Sequence, residues 1–509
     1  MSRTARSPLT LTAPAAIAAL VALAPVWYLF DRAFSRGFSH VLDELWRRRT
    51  LDLVLRSGSL ALVVTVACTV IGTLGAWLVT RTDLPGRSAW RVVLLLPLAI
   101  PSYLSAFAWV SWRPDLAGFG GAALVLTLTS YPYVMLPVMA ALVRLDPAQD
   151  DVARSLGVDI PGVLRRVTLP ALRPAIASGA LLVALYVLSD FGAVAAMRYE
   201  AFTWVVYGAY RAGFDPTRAA ILANVLVAIA TVLVLAEGRV RGRAASRIGG
   251  GSARRSRPLP LGAGRPFALG ACTTVAALAL AFPAWRIATW IGTSSTESIA
   301  WSDVLDPLAT TLRYSVLAAV ATTLLAFPVG LVAARYPTRP VRLLERSTYV
   351  AHALPGIVIA ISMVFVGVRL LRPWYLEVPL LVLAYVVLFL PLAVGSVRTA
   401  VEQTPVRLEE TARSLGSSQR TVLRRITLPL AMPGVASGAA LVMLTAMKEL
   451  PVTLILRPAG DETLATRLWS MTSVSDYADA APYAVAIVVF ASIPTAVLSR
   501  RGPEFRGST

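Results

Sequence analysis

Twelve stretches of about 20 mostly apolar residues divide this chain, and each is long enough to cross a bilayer as a helix. In the first half they lie near residues 12–30, 59–80, 92–111, 121–143, 176–197 and 218–236. In the second they lie near 267–289, 313–334, 347–369, 376–397, 435–456 and 481–499. Lipid offers the backbone no hydrogen-bond partners, so such stretches must satisfy their own N–H and C=O groups as helices. Charged residues make up 15% of the sequence, where a soluble domain carries about a quarter. The predicted fold is an all-α polytopic membrane protein of about twelve transmembrane helices. The N-terminal run, with Trp27 and Tyr28 where an interfacial belt would fall, reads as an uncleaved first helix rather than a signal peptide.

Six runs precede and six follow the segment 237–266, "EGRVRGRAASRIGGGSARRSRPLPLGAGRP", whose Arg, Gly, Ser and Pro content predicts a flexible linker. The expected organisation is a first half over 1–236, this linker, and a second half over 267–509. With the N-terminus inside, the inside segments hold 31 of the 48 Lys and Arg residues, though they make up only about a quarter of the chain, as the positive-inside rule requires. Both termini are therefore expected on the cytoplasmic side. The same clustering explains the net charge of +20 without nucleic acid, because no basic stripe is interleaved with aromatic residues. One basic segment, "ELWRRRTLDL" near Arg47, falls outside and suggests an interfacial amphipathic stretch. Because each half holds an even number of spans, both enter the bilayer in the same direction, as two parallel six-helix repeats.

Between the oily runs one polar phrase occurs twice. "ARSLGVDIPGVLRRVTLP" starts at Ala153 and "ARSLGSSQRTVLRRITLP" at Ala412, sharing 12 of 18 residues. In the first copy, Asp150 and Asp151 open a short helix where the helix dipole favours anions. Gly157 suits the left-handed position that closes it. Asp159 can cap a second short helix with Pro161 in its first turn. The second copy repeats the plan with Glu409, Glu410, Gly416 and Ser418, and Leu-Pro ends each elbow where the next span begins. Coupling loops are thus expected over about 144–175 and 398–434, on one face, as a matched pair of docking elbows.

Chemistry of the chain's own is hard to find in the sequence. Cys68 and Cys272, with His40 and His352, are too few and too scattered for a catalytic zinc centre. An ATP-binding loop needs Lys after a Gly-rich turn; the one lysine, Lys448, sits in "TAMKELP". No catalytic residue and no metal ligand is expected. At the 259-residue offset of the repeat, Glu449 falls on Asp190, and charges at that depth mark a pathway or a pair. Asp190, Lys448 and Glu449 are therefore candidates for the translocation pathway, with a structural pairing of Lys448 and a carboxylate as the alternative.

The repeated phrase resembles the signature of permease subunits of ABC importers, Glu-Ala-Ala, then Gly, then an apolar residue and Leu-Pro. It appears as Asp151-Val152-Ala153, Gly157, Val167, Leu169-Pro170, and as Glu410-Thr411-Ala412, Gly416, Ile426, Leu428-Pro429. The middle Ala is absent from both copies, and Asp replaces Glu in the first. The resemblance covers both halves and implies the MetI-like permease fold, twice. It implies an ATPase-coupling role for Asp151, Ala153, Gly157, Leu169, Pro170, Glu410, Ala412, Gly416, Leu428 and Pro429. The partners implied are two copies of an ABC ATPase using ATP with Mg and an extracytoplasmic substrate-binding protein, in a bacterial cytoplasmic (inner) membrane. "LTAMKELPVTLILRPAGDETLATRLWSMTS" and "LSDFGAVAAMRYEAFTWVVYGAYRAGFDPTRAAILA" are similar to fused ferric-iron permeases, with thiamine and aminoethylphosphonate permeases as relatives. An ion-coupled carrier, the competing reading, has no use for two matched elbows on one face, and a membrane-embedded enzyme lacks a constellation of acid, base and metal ligands.

Overall fold

The computed structural model describes residues 9–146, 148–213, 215–242, 258–292, 301–350 and 354–501. The central part of the linker and His352 lie outside the described residues, as do the side chains of Asp150, Asp151 and Pro161. The described residues form helices throughout, with one isolated bridge between Thr82 and Leu259.

Within the described residues each of the twelve apolar runs is largely helical. Among the described residues nine helices are long and apolar enough to cross a membrane, including Leu11–Arg36, Arg48–Arg81, Phe119–Arg144, Ser302–Arg335 and Val378–Glu402. Gly356–Arg369 and Tyr477–Ser492 are shorter apolar helices. The remaining run does not pass as one straight rod: Arg87–Ala99 and Ser102–Trp112 meet at 88°. Helices in bundles often tolerate prolines such as those in "LLLPLAIPSYLSAFAW". Pro101, however, cannot donate to the preceding turn, and it forces Ile100 into extended backbone (φ −85°, ψ 123°).

The chain folds into two compact units. One contains residues 1–44, 206–224 and 300–470; the other contains 45–205, 225–299 and 471–509. The first span, Leu9–Ala33, therefore packs with Leu305–Arg335 and Gly356–Arg369 of the second sequence half. Likewise Phe282–Gly292 packs with Ser102–Trp112 of the first, where Trp109 stacks on Phe282. Each unit thus takes its opening span from the other half of the sequence.

Inside each unit the same three helices form the core. In one they are Arg48–Arg81, Pro132–Arg144 and Leu169–Ser189; in the other, Leu305–Arg335, Val378–Glu402 and Leu428–Met447. Lipid removes the hydrophobic drive between helices, so close packing has to supply the association, and small residues permit it. At Gly179 an added Cβ would lie 2.6 Å from Cα of Val134, and at Gly438, 259 residues on, 2.5 Å from Cβ of Ser396. Both crossings therefore require glycine. Of "ELWRRRTLDL", Glu44 and Leu45 end a short helix, Phe38–Leu45, with Glu44 buried against Arg218 at 2.8 Å, and Arg48 opens the long apolar helix Arg48–Arg81.

Candidate functional site: two elbows and two broken helices

The repeated phrase folds the same way twice. Ala148–Ser155 is a helix that ends at Gly157, and Val406–Ser414 ends at Gly416; both glycines have φ 83°. Gly157 N–H donates to Arg154 O and Val158 N–H to Ala153 O. Gly416 and Ser417 donate to Arg413 and Ala412 in the same pattern. This paired closure, with a left-handed residue after the last turn, satisfies carbonyls that a helix end otherwise leaves orphaned. An added Cβ at either glycine would meet nothing within 4 Å, so the glycine is required by its backbone angle and not by crowding within the chain.

The second limb starts with a side-chain cap in each copy. Asp159 Oδ1 accepts from Gly162 N–H at 3.1 Å, and Ser418 Oγ accepts from Thr421 N–H at 3.3 Å. The sequence suggested that Leu-Pro would end this limb. Instead, helix runs on through it: Leu164–Ser189 and Gln419–Met447 each pass the spanning criterion as one unit. Pro170 and Pro429 have no N–H to give the preceding turn. In each copy that turn, Leu164–Thr168 or Leu423–Thr427, widens to an i→i+5 pattern, with Leu169 N–H on Leu164 O and Leu428 N–H on Leu423 O. Leu169-Pro170 and Leu428-Pro429 then begin the span. The elbow's outer limb is therefore one piece with a transmembrane helix.

The tips face outward. Leu156 and Leu415, equivalent residues just before the glycines, are 78% and 80% exposed, and Glu410 is exposed on the helix that leads to Leu415. Ala153 is buried and Ala412 half-buried under the tip. Asp151 lies on the first limb, its side chain outside the described residues.

A fastening that the sequence did not reveal holds the second elbow. Arg335, the last residue of Leu305–Arg335, donates from Nε and Nη2 to Glu409 Oε1 at 3.0 and 2.7 Å, and from Nη2 to Thr404 O at 3.0 Å. Thr427 Oγ1 donates to the same Glu409 oxygen at 3.0 Å. The Glu409 and Arg335 side chains are only 8% and 11% exposed. Gln419 adds a hydrogen bond to the Tyr336 hydroxyl at 2.6 Å. In the first half Arg81, the last residue of Arg48–Arg81, donates to Leu142 O and Leu145 O, both at 2.9 Å. An arginine closing the second span of each half is the signal that could have flagged this contact.

The candidate pathway carboxylates sit at breaks. Leu169–Ser189 stops at Asp190, and a short helix, Gly192–Ala196, follows. Asp190 Oδ1 accepts from Ala193 N–H at 2.8 Å, Ser102 Oγ donates to Oδ2, and Thr203 Oγ1 donates to the Asp190 carbonyl at 2.7 Å. Leu428–Met447 stops at Lys448, and Pro451–Leu456 follows. Glu449 accepts from Val452 N–H at 3.0 Å, Thr453 N–H at 3.3 Å and Thr453 Oγ1 at 3.3 Å. Each carboxylate thus caps the short helix that follows it. Among the described residues no group of three or more His, Cys, Asp or Glu could hold a metal ion.

Two matched polar elbows on a helical membrane chain are the geometry that stands out. The family described as "binding-protein-dependent transport system inner membrane component" matches twice, over residues 68–238 and 326–500. The chain belongs to this family. It is 33% identical to an Fe(3+)-transport system permease protein of Haemophilus influenzae over 97% of this chain and 99% of that one. It is 28% identical to a sulfate transport system permease protein of Escherichia coli over 35% of this chain and 66% of that one. It is 31% identical to a spermidine/putrescine transport system permease protein of the same species, over 32% and 61%. The family match falls once on each sequence half, and each match contains one elbow.

Proposed function

We propose that this permease is the translocation subunit of an ATP-driven importer for ferric iron. Its elbows seat in separate ATPase subunits, one per elbow, at the cytoplasmic face of a bacterial inner membrane. An extracytoplasmic binding protein delivers the cargo. The observation that carries this reading is the continuity of each exposed elbow with a spanning helix. A motor that grips Leu156 and Leu415 acts across one hydrogen-bonded glycine turn on the outer limbs, which are continuous with Leu164–Ser189 and Gln419–Met447. ATP with Mg belongs to the motor, and this chain contributes the lever and the passage.

Iron as the cargo is supported by full-length similarity to a ferric permease, whereas the sulfate and polyamine relatives match about a third of the chain. Thiamine and aminoethylphosphonate are the other cargo readings. Asp190 and Glu449 act first as helix caps; their place at matching breaks keeps them candidates for the passage, together with Lys448. The test is uptake of radiolabelled ferric iron by cells carrying the chain with its ATPase and binding protein, beside co-purification of the ATPase. Iron uptake that depends on ATP, and two ATPase copies per chain, are expected. Uptake of sulfate or thiamine with no iron uptake overturns the cargo; one ATPase copy or none overturns the two-elbow reading.

A further inference from the structure

The helix Arg339–Val350 follows Leu305–Arg335 after a three-residue turn. Its inner face is occupied. Val341 packs with Val332 and Ala333, against Leu11 and Tyr336. Thr348 is buried, and Glu345, the helix's one carboxylate, is paired inward with Arg398. Its outer face carries Arg339, Arg342 and Arg346 at i, i+3 and i+7, a single stripe on an α-helix. All three are exposed, Leu343 between them is 69% exposed, and the four residues line an open concavity. Among the described residues none of the three guanidinium groups has an ion-pair partner.

The depth of this helix narrows the choice of ligand. Val332 and Ala333 lie in the last turn of one apolar span, and Leu11 opens another. A helix packed on those residues sits where the hydrocarbon ends and headgroups begin. Amphipathic helices with basic polar faces take that position, and uncompensated arginines there attract anionic lipid. The guanidinium fork matches phosphate oxygens two at a time. The corresponding helix of the first half, Arg87–Val93, is seven residues long, and its Arg91 donates to Val79 O at 3.0 Å.

We propose that Arg339, Arg342 and Arg346 form a binding site for the phosphate headgroup of an anionic membrane phospholipid, with Leu343 resting against the acyl boundary. A motor protein is the less favoured occupant, since the exposed leucines that suit it stand on the elbows, beyond the spans. The proposal depends on the chain spanning a membrane and not on the cargo or the motor.

The test uses the full chain in phosphatidylcholine vesicles containing a trace of spin-labelled lipid, with the immobilised fraction read by electron paramagnetic resonance. The wild-type chain should hold labelled phosphatidylglycerol over labelled phosphatidylcholine by about fivefold. The triple variant Arg339→Gln, Arg342→Gln, Arg346→Gln should bring the two lipids near parity, and Arg87→Gln should leave the preference intact. The triple Lys variant keeps the charge and should retain most of the preference, which separates lost binding from lost folding. Equal retention of both lipids by the wild-type chain overturns the site, as does a preference that survives the Gln substitutions. Erasure of the preference by about 10 mM inorganic phosphate, too dilute to act by screening alone, makes the ligand a free anion and also overturns it. So does a Gln variant that keeps its lipid preference but no longer retains the ATPase.

Discussion

The first and second elbows have the same backbone, and at each an arginine that closes a span is anchored on a carbonyl. Both close on a glycine at φ 83°, both cap the outer limb with an oxygen, and both widen one turn ahead of a proline. In the second, Arg335 grips a buried carboxylate, Glu409, and a carbonyl, Thr404 O; in the first, Arg81 is seen on two carbonyls, Leu142 O and Leu145 O. Leu145 is the counterpart of Thr404 at the repeat offset of 259 residues, so the carbonyl anchor is common to both halves. The shape of the lever is written in backbone devices, which a duplicated chain keeps. The grip on it recurs too, as an arginine on the carbonyl of Leu145 or of Thr404.

The comparison breaks most sharply at Glu409. Glu409→Ala leaves the Arg335 guanidinium buried without its counter-charge, a loss of about 3–5 kcal/mol. The midpoint of thermal unfolding should fall markedly, and Glu409→Gln, which still accepts from Thr427, should fall less. Arg81→Ala, which removes the donor from two carbonyls, should cost about 1–3 kcal/mol. A loss at Glu409→Ala no larger than that at Glu409→Gln would show that the buried counter-charge adds nothing to this grip.

Next come the glycines. Gly157→Val and Gly416→Val force a β-branched residue into left-handed backbone, at about 1–2 kcal/mol each. The two substitutions should reduce ATPase co-purification to a similar degree, because the backbone is the shared part. A large effect at one elbow and none at the other, in a pull-down at fixed detergent and salt, contradicts that equivalence. Removing the caps is a milder test: Asp159→Ala and Ser418→Ala should each cost about 1 kcal/mol, seen as faster hydrogen exchange at the Gly162 and Thr421 amides.

The two broken helices offer a second pair. An amide oxygen can still accept the N–H of Ala193 or Val452, so Asp190→Asn with Glu449→Gln should preserve the fold and keep uptake within a few-fold of wild type. A collapse of uptake in a chain that remains folded would assign the negative charge to the cargo path.

The smallest effect concerns pH. The Asp83 carboxylate accepts from Leu261 N–H at 2.8 Å and pairs with Arg265, and these contacts hold its pKa below the usual 3.8. A depressed carboxylate pKa favours the folded contact above the unfolded value and loses that contribution as pH falls through the folded one. Exchange at the Leu261 amide, corrected for intrinsic rate, should be flat from neutral pH down to about 5 and rise only below 4.

Much of this was legible in the chain. Apolar length alone located all twelve runs, since lipid allows such runs few alternatives. Repetition marked the elbows, and Gly157 and Gly416 were readable because few other residues accept left-handed backbone. What stayed hidden depends on distance in sequence. Glu409 and Arg335 are 74 residues apart, and no local pattern joins them. The 88° bend turns on Pro101, and a proline within an apolar run is often absorbed by the helix. The outer limbs looked terminated at Leu-Pro because the widened turn that carries them past the proline has no composition of its own.

The interleaving of the two units bears on how the protein is made. The unit containing residues 45–205 takes in 225–299 and 471–509 as well. Its helices must leave the ribosome and enter the bilayer long before their last neighbours have been translated. Early membrane intermediates therefore carry unfilled flanks until synthesis ends, and a gene cut at the central linker would yield two products that mature only in each other's company.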